Sequence, residues 1–325
     1  MMNLPESRRL DFSEIPILDI GSLVKGADEP SLIDELYRAC ADVGFFYVRN
    51  HGVPKELVES VMRAAEPFFA APTNEKMEVV LDQRIRGFYA HNRVTSVGHL
   101  IEGEDRSGLN CKEGFWVAHD RPLCETALLH GPNQWPEGHP ELKRSMMAYF
   151  DAVEALADAL LRGFALALEL EEQRFDCLFE KPLTSLLINY YPPQEKPTTE
   201  RNIGLSPHFD AGGFTILWQD DIGGLEIQNK SGEWVGAPPI EGTFVINIGN
   251  VLQMWSNGKF SSTPHRVVNR GARDRFSIPM FVNPSYDVKV APLVDTNGDD
   301  RAAFNYGTYQ RDVWRSTFPI AAIPN

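Results

Sequence analysis

The sequence predicts an α+β fold, in which helices and one long spine helix pack around a β-sandwich or jelly-roll core. Three observations predict it. Apolar residues recur at steps of three and four through much of the first half. Short runs rich in β-branched and aromatic residues follow one another beyond Leu183. Glycine-containing pairs, Gly223-Gly224, Ser231-Gly232 and Asn257-Gly258, supply turns between those runs.

Ile15-Pro16-Ile17-Leu18-Asp19-Ile20 reads as a short opening strand. From about Ser31 to Asp42, Leu32, Leu36, Tyr37 and Cys40 share one face of a helix. Phe45 to Val48 is a strand, ended by Asn50-His51-Gly52. The next helix opens at Pro54, where proline suits the first turn, and runs to about Phe69. The longest helix spans Glu141 to about Glu169; Met146, Tyr149, Phe150, Val153, Leu156, Leu160, Phe164 and Leu168 form its buried stripe.

After that helix the pattern changes to period two. Strands are expected at Leu183–Tyr191, Phe214–Gln219, Leu225–Gln228, Trp234–Val235, Thr243–Ile248, Val267–Asn269, Phe276–Val282 and Val288–Val290. Tyr306 to Thr317 returns to helical spacing. Residues 1–178 therefore read as a mainly helical N-terminal region, 179–290 as the jelly-roll core and 291–325 as a helical tail, all in one compact unit.

Of the 325 residues 43% are hydrophobic and 10% aromatic, enough for a substantial core. Lys and Arg number 31 against 45 Asp and Glu, a net charge of −14. Nucleic-acid binding rests on Lys and Arg meeting phosphates, so this charge argues against nucleic acid as a partner. Cys40, Cys111, Cys124 and Cys177 are widely spaced and form no CxxC pair, as expected of free thiols in a reducing compartment. No apolar run follows the basic residues near the start, and the stretch around Phe164–Leu170 is too short to cross a bilayer. A cytoplasmic protein without a membrane partner, monomeric or weakly homo-oligomeric, is expected.

Ser206-Pro207-His208-Phe209-Asp210 sets an imidazole and a carboxylate two apart. On a strand such residues point to one face and can share an ion. His265, in Ser262-Thr263-Pro264-His265-Arg266-Val267, offers a second imidazole. Two histidines and one carboxylate leave coordination positions open, which suits an iron(II) that must also bind substrate and dioxygen. Thiolates are missing nearby, which disfavours structural zinc. An HxD pair alone is a weak signal, because each residue commonly serves a surface or a core. Beyond His265, Arg275-Phe276-Ser277 places a guanidinium fork and a hydroxyl on one strand face, suited to gripping a carboxylate. His51 fits a turn after a strand and reads as structural. His91, His99, His119, His130 and His139 have no partner at metal-ligand spacing.

In these motifs and their order the chain resembles the isopenicillin N synthase-like, 2-oxoglutarate/Fe(II)-dependent dioxygenase family. Asn50-His51-Gly52-Val53, Lys112-Glu113-Gly114-Phe115, Gly131-Pro132-Asn133-Gln134-Trp135-Pro136, Asn189-Tyr190-Tyr191-Pro192-Pro193 and Leu252-Gln253-Met254-Trp255-Ser256-Asn257-Gly258 carry the resemblance over nearly the whole length. It implies a double-stranded β-helix, with His208, Asp210 and His265 as catalytic iron ligands. Arg275 and Ser277 would hold the distal carboxylate of the cosubstrate 2-oxoglutarate, assisted by Asn189 and Tyr191. Dioxygen is the other cosubstrate, and succinate and CO2 are released as a small organic metabolite is hydroxylated, desaturated or cyclised. Phe88 and Arg93, in Gly87-Phe88-Tyr89-Ala90-His91-Asn92-Arg93, with Phe209 and Phe281, are expected to border that substrate.

Three other readings use the same residues. Some relatives of this fold are oxidases in which Arg-x-Ser binds a different carboxylate; Asn189 and Tyr191 favour 2-oxoglutarate. A non-catalytic sensor would usually lose one of the five key residues, and all five are present. A zinc hydrolase on the same three ligands is the weakest reading.

Overall fold

A computed structural model describes residues 15–27, 29–90, 110–124, 127–193, 203–295 and 302–317. Its first half runs β1 (Ile17–Asp19), α1 (Gly21–Val24), α2 (Pro30–Asp42), β2 (Phe45–Arg49), α3 (Lys55–Ala70), α4 (Thr73–Lys76), β3 (Gly87–Tyr89), β4 (Glu113–Ala118) and α5 (Pro140–Ala167). Its second half runs β5 (Ser185–Tyr191), β6 (Leu205–His208), β7 (Phe214–Gln219), β8 (Leu225–Gln228), β9 (Trp234–Gly236), β10 (Phe244–Ile248) and α6 (Asn250–Trp255). It closes with β11 (His265–Val267), β12 (Arg275–Val282), β13 (Lys289–Val290), β14 (Phe304–Asn305) and α7 (Tyr306–Thr317).

Twelve of the strands form two facing sheets, ordered β1-β2-β10-β7-β12-β5-β4-β3 and β6-β11-β8-β9. Only the β1–β2 pairing is parallel. This is the jelly roll, and strand alternation divides its core in two. On β2 and β10, Phe45, Tyr47 and Val245 turn inward to a small core with Leu225, Ile227 and Val267 of the facing sheet. Phe46, Val48, Phe244, Ile246 and Ile248 turn outward to a larger core shared with the helices. A one-residue slip in either strand would exchange those sets.

Helix α5 is the spine. All eight residues of its predicted stripe are buried; α5 packs on α2 and α3, and its Tyr149 and Phe164 meet Phe244 and Phe214 of the sheet. Burying a Leu or Phe side chain contributes about 1.5–3 kcal/mol, so the stripe supplies much of the helix's hold on the sheet. A Cβ on Gly163 would meet Leu23 and Leu36 at 2.9 Å, which is why α1 and α2 can approach α5 closely there.

Some expectations need correction. The strand expected at Val267–Asn269 lies earlier, at His265–Val267. Asn257-Gly258 follows α6 and ends that helix, where Gly258 N–H reaches back to the Gln253 carbonyl, and does not join two strands. Strands β3, β4, β6 and β14 are additional; β1 to β4, all before residue 178, supply half of the eight-stranded sheet. They are short, and their identity depends on long-range partners such as β5 that no local pattern reveals. Cys40, buried, and Cys177, exposed, are free thiols.

Candidate active site

His208 ends β6 and His265 begins β11, and the two are register partners. Their ring centroids lie 4.1 Å apart. Asp210 stands beyond the end of β6, so strand alternation does not position it. Its carbonyl accepts a hydrogen bond from Asn250 N–H at 2.8 Å, in the first turn of α6. Gly212 and Gly213 continue the loop, their carbonyls bonded by Val251 N–H and Gly249 N–H. A Cβ on Gly249 would lie 2.3 Å from the Gly212 oxygen, so only glycine fits at this approach.

His208 Nε2 and His265 Nε2 lie 3.7 and 3.8 Å from Asp210 Oδ1. One ligand atom from each of the three buried residues falls within 4.8 Å of the others. Hydrogen bonds around them set the orientation. His208 Nδ1–H donates to the Ser206 carbonyl at 2.9 Å, and His265 Nδ1–H to that of Thr263 at 3.3 Å, leaving each Nε2 lone pair for an ion. Asp210 Oδ2 accepts from Thr215 Oγ1 and, at 2.6 Å, from Asn247 Nδ2, so Oδ1 is the oxygen left for an ion.

Burial first, then the adjacent His265, hold His208 far below its ordinary range, at about 3. It is therefore neutral at neutral pH, the form that ligates a metal. Burial raises the Asp210 carboxyl, but His265, His208, Thr215 and Asn247 together outweigh that and keep it below the usual carboxylate value. Two imidazoles, that of His208 neutral, and a carboxylate at this spacing fit iron(II).

The second group lies on β12 and β5. Arg275 is the register partner of Tyr191, and Ser277 of Asn189. Arg275 is fully buried, its guanidinium 4.6 Å from the Tyr191 ring centroid. Its Nε donates to the Gly223 carbonyl and its Nη2 to Gln219 Oε1 at 3.5 Å, while Nη1 has no hydrogen-bond partner. No carboxylate of the described residues pairs with it. A buried, partly bonded guanidinium with a hydroxyl two residues on fits an anionic carboxylate.

Comparison with known proteins agrees with this geometry. Residues 183–284 match the 2OG-Fe(II) oxygenase superfamily, and residues 15–138 match the N-terminal region of the non-haem dioxygenases in morphine synthesis. The 2-oxoglutarate-Fe(II) type oxidoreductase hxnY of Emericella nidulans is 35% identical over 291 residues, covering 85% of this chain and 82% of that protein. The chain belongs to the 2-oxoglutarate-Fe(II) oxygenase superfamily. A homoarginine-6-hydroxylase of Glycine max is also 35% identical, over 87% of this chain and 89% of its own. Among solved structures, a full-length Neurospora crassa protein in complex with alpha-KG superposes with a TM-score of 0.79 at 26% identity, covering 92% of this chain and 95% of that one. JOX2 with 2OG, Fe and JA gives 0.77 at 28%, covering 96% and 88%.

This oxygenase is thus an oxidoreductase, a dioxygenase that uses Fe(II), 2-oxoglutarate and O2 on a small molecule. Among the described residues no helix is long and apolar enough to cross a membrane. Of the residues expected to border the substrate, Phe281 is half-buried, stacks on Trp116 at 5.4 Å, and is register partner to Thr215, which bonds Asp210. Phe209 is half-buried, between His208 and Asp210 in sequence. Phe88 is placed elsewhere: it is fully buried in the helix-facing core, 5.8 and 6.5 Å from the Phe68 and Phe69 rings. Alternation instead turns its neighbour Tyr89 inward, where its hydroxyl donates to Asn189 Oδ1 at 3.1 Å. Arg93 lies outside the described residues.

Sequence reasoning missed Thr215, Asn247, Tyr89 and Lys112. A signal was available for two of them, since Thr215 and Asn247 are polar residues inside otherwise apolar strands. His51 packs on Phe244 at 4.4 Å, two residues past the end of β2.

Proposed function

We propose that His208, Asp210 and His265 hold the iron(II), and that Arg275 and Ser277, with Asn189 and Tyr191 beside them, hold 2-oxoglutarate by its distal carboxylate. The observation that carries this reading is the pairing of a fully buried Arg275, hydrogen-bonded to no carboxylate among the described residues, with a cluster of three possible metal ligands in the same jelly roll. When bound, iron(II) and the 2-oxo acid supply the reaction with dioxygen that oxidises substrate and releases succinate and CO2. The chain's own part is to keep the His208 imidazole neutral, orient both imidazoles, fix the Asp210 carboxylate and exclude water.

Hydroxylation of a compact organic metabolite is the reading we favour, with desaturation or ring closure as other outcomes of the same site. It is supported by the homoarginine-6-hydroxylase relatives and by the Neurospora crassa protein, which was also solved with thymine. Phe281, Phe209 and Trp116 would border that substrate. On the same reading the protein works in the cytoplasm as a monomer or weak homo-oligomer. Residues 1–178, 179–290 and 291–325 act as one unit.

The test is an anaerobic titration of the iron(II)-loaded protein with 2-oxoglutarate, followed by the visible charge-transfer band. A saturable band is expected in the wild type and not in Asp210→Ala. An Asp210→Ala protein that binds iron and gives the same band would remove the ligand assignment.

A further inference from the structure

Among the described residues two lysines are buried, and of these Lys76 has a carboxylate partner while Lys112 has none there. Lys76, 4% exposed, donates from Nζ to Glu113 Oε2 at 2.7 Å and to the Phe69 carbonyl at 2.9 Å. Lys112, 5% exposed and one residue before β4, donates from Nζ to Asn189 Oδ1 at 2.7 Å and stands 5.7 Å from the Tyr89 ring centroid. No carboxylate among the described residues lies on it. A buried cation with one neutral partner is costly, and such a group normally awaits or expels a charge.

Its neighbours show which charge. Asn189 Oδ1 receives both Lys112 Nζ–H and Tyr89 O–H, so the amide is oriented with Nδ2 toward Ser277 Oγ at 3.4 Å. Ser277 belongs with Arg275 on β12. Burial, and after it Arg275, pull the Lys112 ammonium down to about 7, while Asp210 acts in the opposite direction. The ammonium therefore feels both the metal-ligand carboxylate and the arginine of the cosubstrate end. Asn189 links it by hydrogen bonds to Ser277, two residues from Arg275 on β12.

We propose that Lys112 is a cosubstrate-binding residue, its ammonium donating to a carboxylate of 2-oxoglutarate as the second cation of the pocket beside Arg275. This rests on the reading that the pocket of Asn189, Ser277 and Arg275 receives 2-oxoglutarate. It adds a cation from the residue before β4, the strand between β5 and the edge strand β3, to a grip otherwise built on β5 and β12.

The experiment uses Lys112→Met, which keeps side-chain length and removes the charge, in the full-length iron(II)-loaded protein under anaerobic conditions. The dissociation constant for 2-oxoglutarate is read from the charge-transfer band and by calorimetry, with 2-oxovalerate as a probe that lacks the distal carboxylate. Truncating one side of a buried charged contact predicts a weakening of roughly 30-fold or more for 2-oxoglutarate, with iron(II) affinity unchanged. Weakening for 2-oxoglutarate alone assigns the contact to the distal carboxylate; equal weakening for both probes assigns it to the carboxylate they share. An unchanged constant for 2-oxoglutarate overturns the proposal, as does a parallel loss of iron(II) affinity or an effect confined to the KM of an oxidisable substrate. Lys112→Arg, which keeps the charge, should bind 2-oxoglutarate more tightly than Lys112→Met, and serves if Lys112→Met does not fold. Arg275→Met, titrated in parallel, separates the two readings: if it binds normally while Lys112→Met does not, the role of Arg275 falls and that of Lys112 stands.

Discussion

Arg275 and Tyr191 are register partners across β12 and β5, and the guanidinium lies 4.6 Å from the tyrosine ring centroid. One step along the same ladder, Ser277 faces Asn189. Four polar side chains are thus brought into one patch by a single antiparallel pairing, although about 85 residues of chain separate the two strands (275 − 191 = 84; 277 − 189 = 88). The tyrosine ring and the Gly223 carbonyl hold the arginine in place before any ligand arrives.

Arg275→Ala should therefore act on the cosubstrate and spare the metal. Removing one member of a buried, hydrogen-bonded charged contact costs about 2–5 kcal/mol, a weakening of roughly 30-fold or more in the 2-oxoglutarate constant. Iron(II) affinity should stay within a few-fold, because Arg275 makes its hydrogen bonds to Gly223 and Gln219 and none to His208, Asp210 or His265. Calorimetry under anaerobic conditions measures both. An unchanged 2-oxoglutarate constant would refute the carboxylate role of Arg275.

The residues that hold Asp210 in place should matter nearly as much as Asp210 itself. Thr215→Val and Asn247→Leu keep the shape of their strands but withdraw the donors to Asp210 Oδ2. Loss of such partners typically costs about 10–100-fold in metal affinity or activity. Each variant should bind iron(II) more weakly while folding normally, checked by metal titration and thermal melting. Wild-type metal affinity in both would mean that Asp210 is positioned by its backbone alone.

How much of this was legible in the sequence depends on whether a residue acts through local or distant partners. His208, Asp210, His265, Arg275 and Ser277 are visible because residue type and spacing alone suggest an ion and an anion. The α5 stripe and α7 are visible because one helical face is apolar over several turns. Lys112 and Tyr89 acquire meaning only when β3 and β4 join β5 at the sheet edge, and nothing local marks those strands. Phe88 shows the same limit from the other side: in a three-residue strand, parity decides which of Phe88 and Tyr89 enters the barrel, and parity comes from the partner strand. The i and i+2 rule also reached Asp210 for an incomplete reason, since the first turn of α6 places it, not strand geometry.

Acid should destabilise the metal-free fold through His208. Unfolded, its imidazole titrates near 6.5; folded, burial and His265 hold it to about 3. Between those values the unfolded state binds the extra proton, so stability falls as pH drops from 6.5 toward 3 and is independent of this group above 6.5. His51 and His130, lowered first by burial, act with the same sign. Asp210, lowered in the fold, adds a contribution present above 3.8 and lost as pH falls through its folded value. Urea unfolding across a pH series should show a shallower acid slope for His208→Gln than for wild type. Identical slopes would mean that His208 accepts a proton in the fold as readily as out of it.

Gly249 ties the α6 turn to the loop that carries Asp210. An added Cβ would lie 2.3 Å from the Gly212 oxygen, 2.9 Å from its carbonyl carbon and 3.0 Å from the Gly213 oxygen. All three are backbone atoms, so no side-chain rotation can relieve the contact. The loop must shift, and Asp210, bonded through its carbonyl to Asn250 N–H, shifts with it. Gly249→Ala should cost about 1–3 kcal/mol of stability, as overpacking does, and weaken iron(II) binding as well. Gly232→Ala is the control: its φ of +83° strains any L-residue, yet nothing lies within 4 Å of the new Cβ, and none of the three ligands is near it in sequence. It should lower stability and leave iron(II) affinity unchanged, measured by urea unfolding and metal titration on the same preparations. Equal iron(II) affinity in the two variants would show that the α6 turn does not set the position of Asp210.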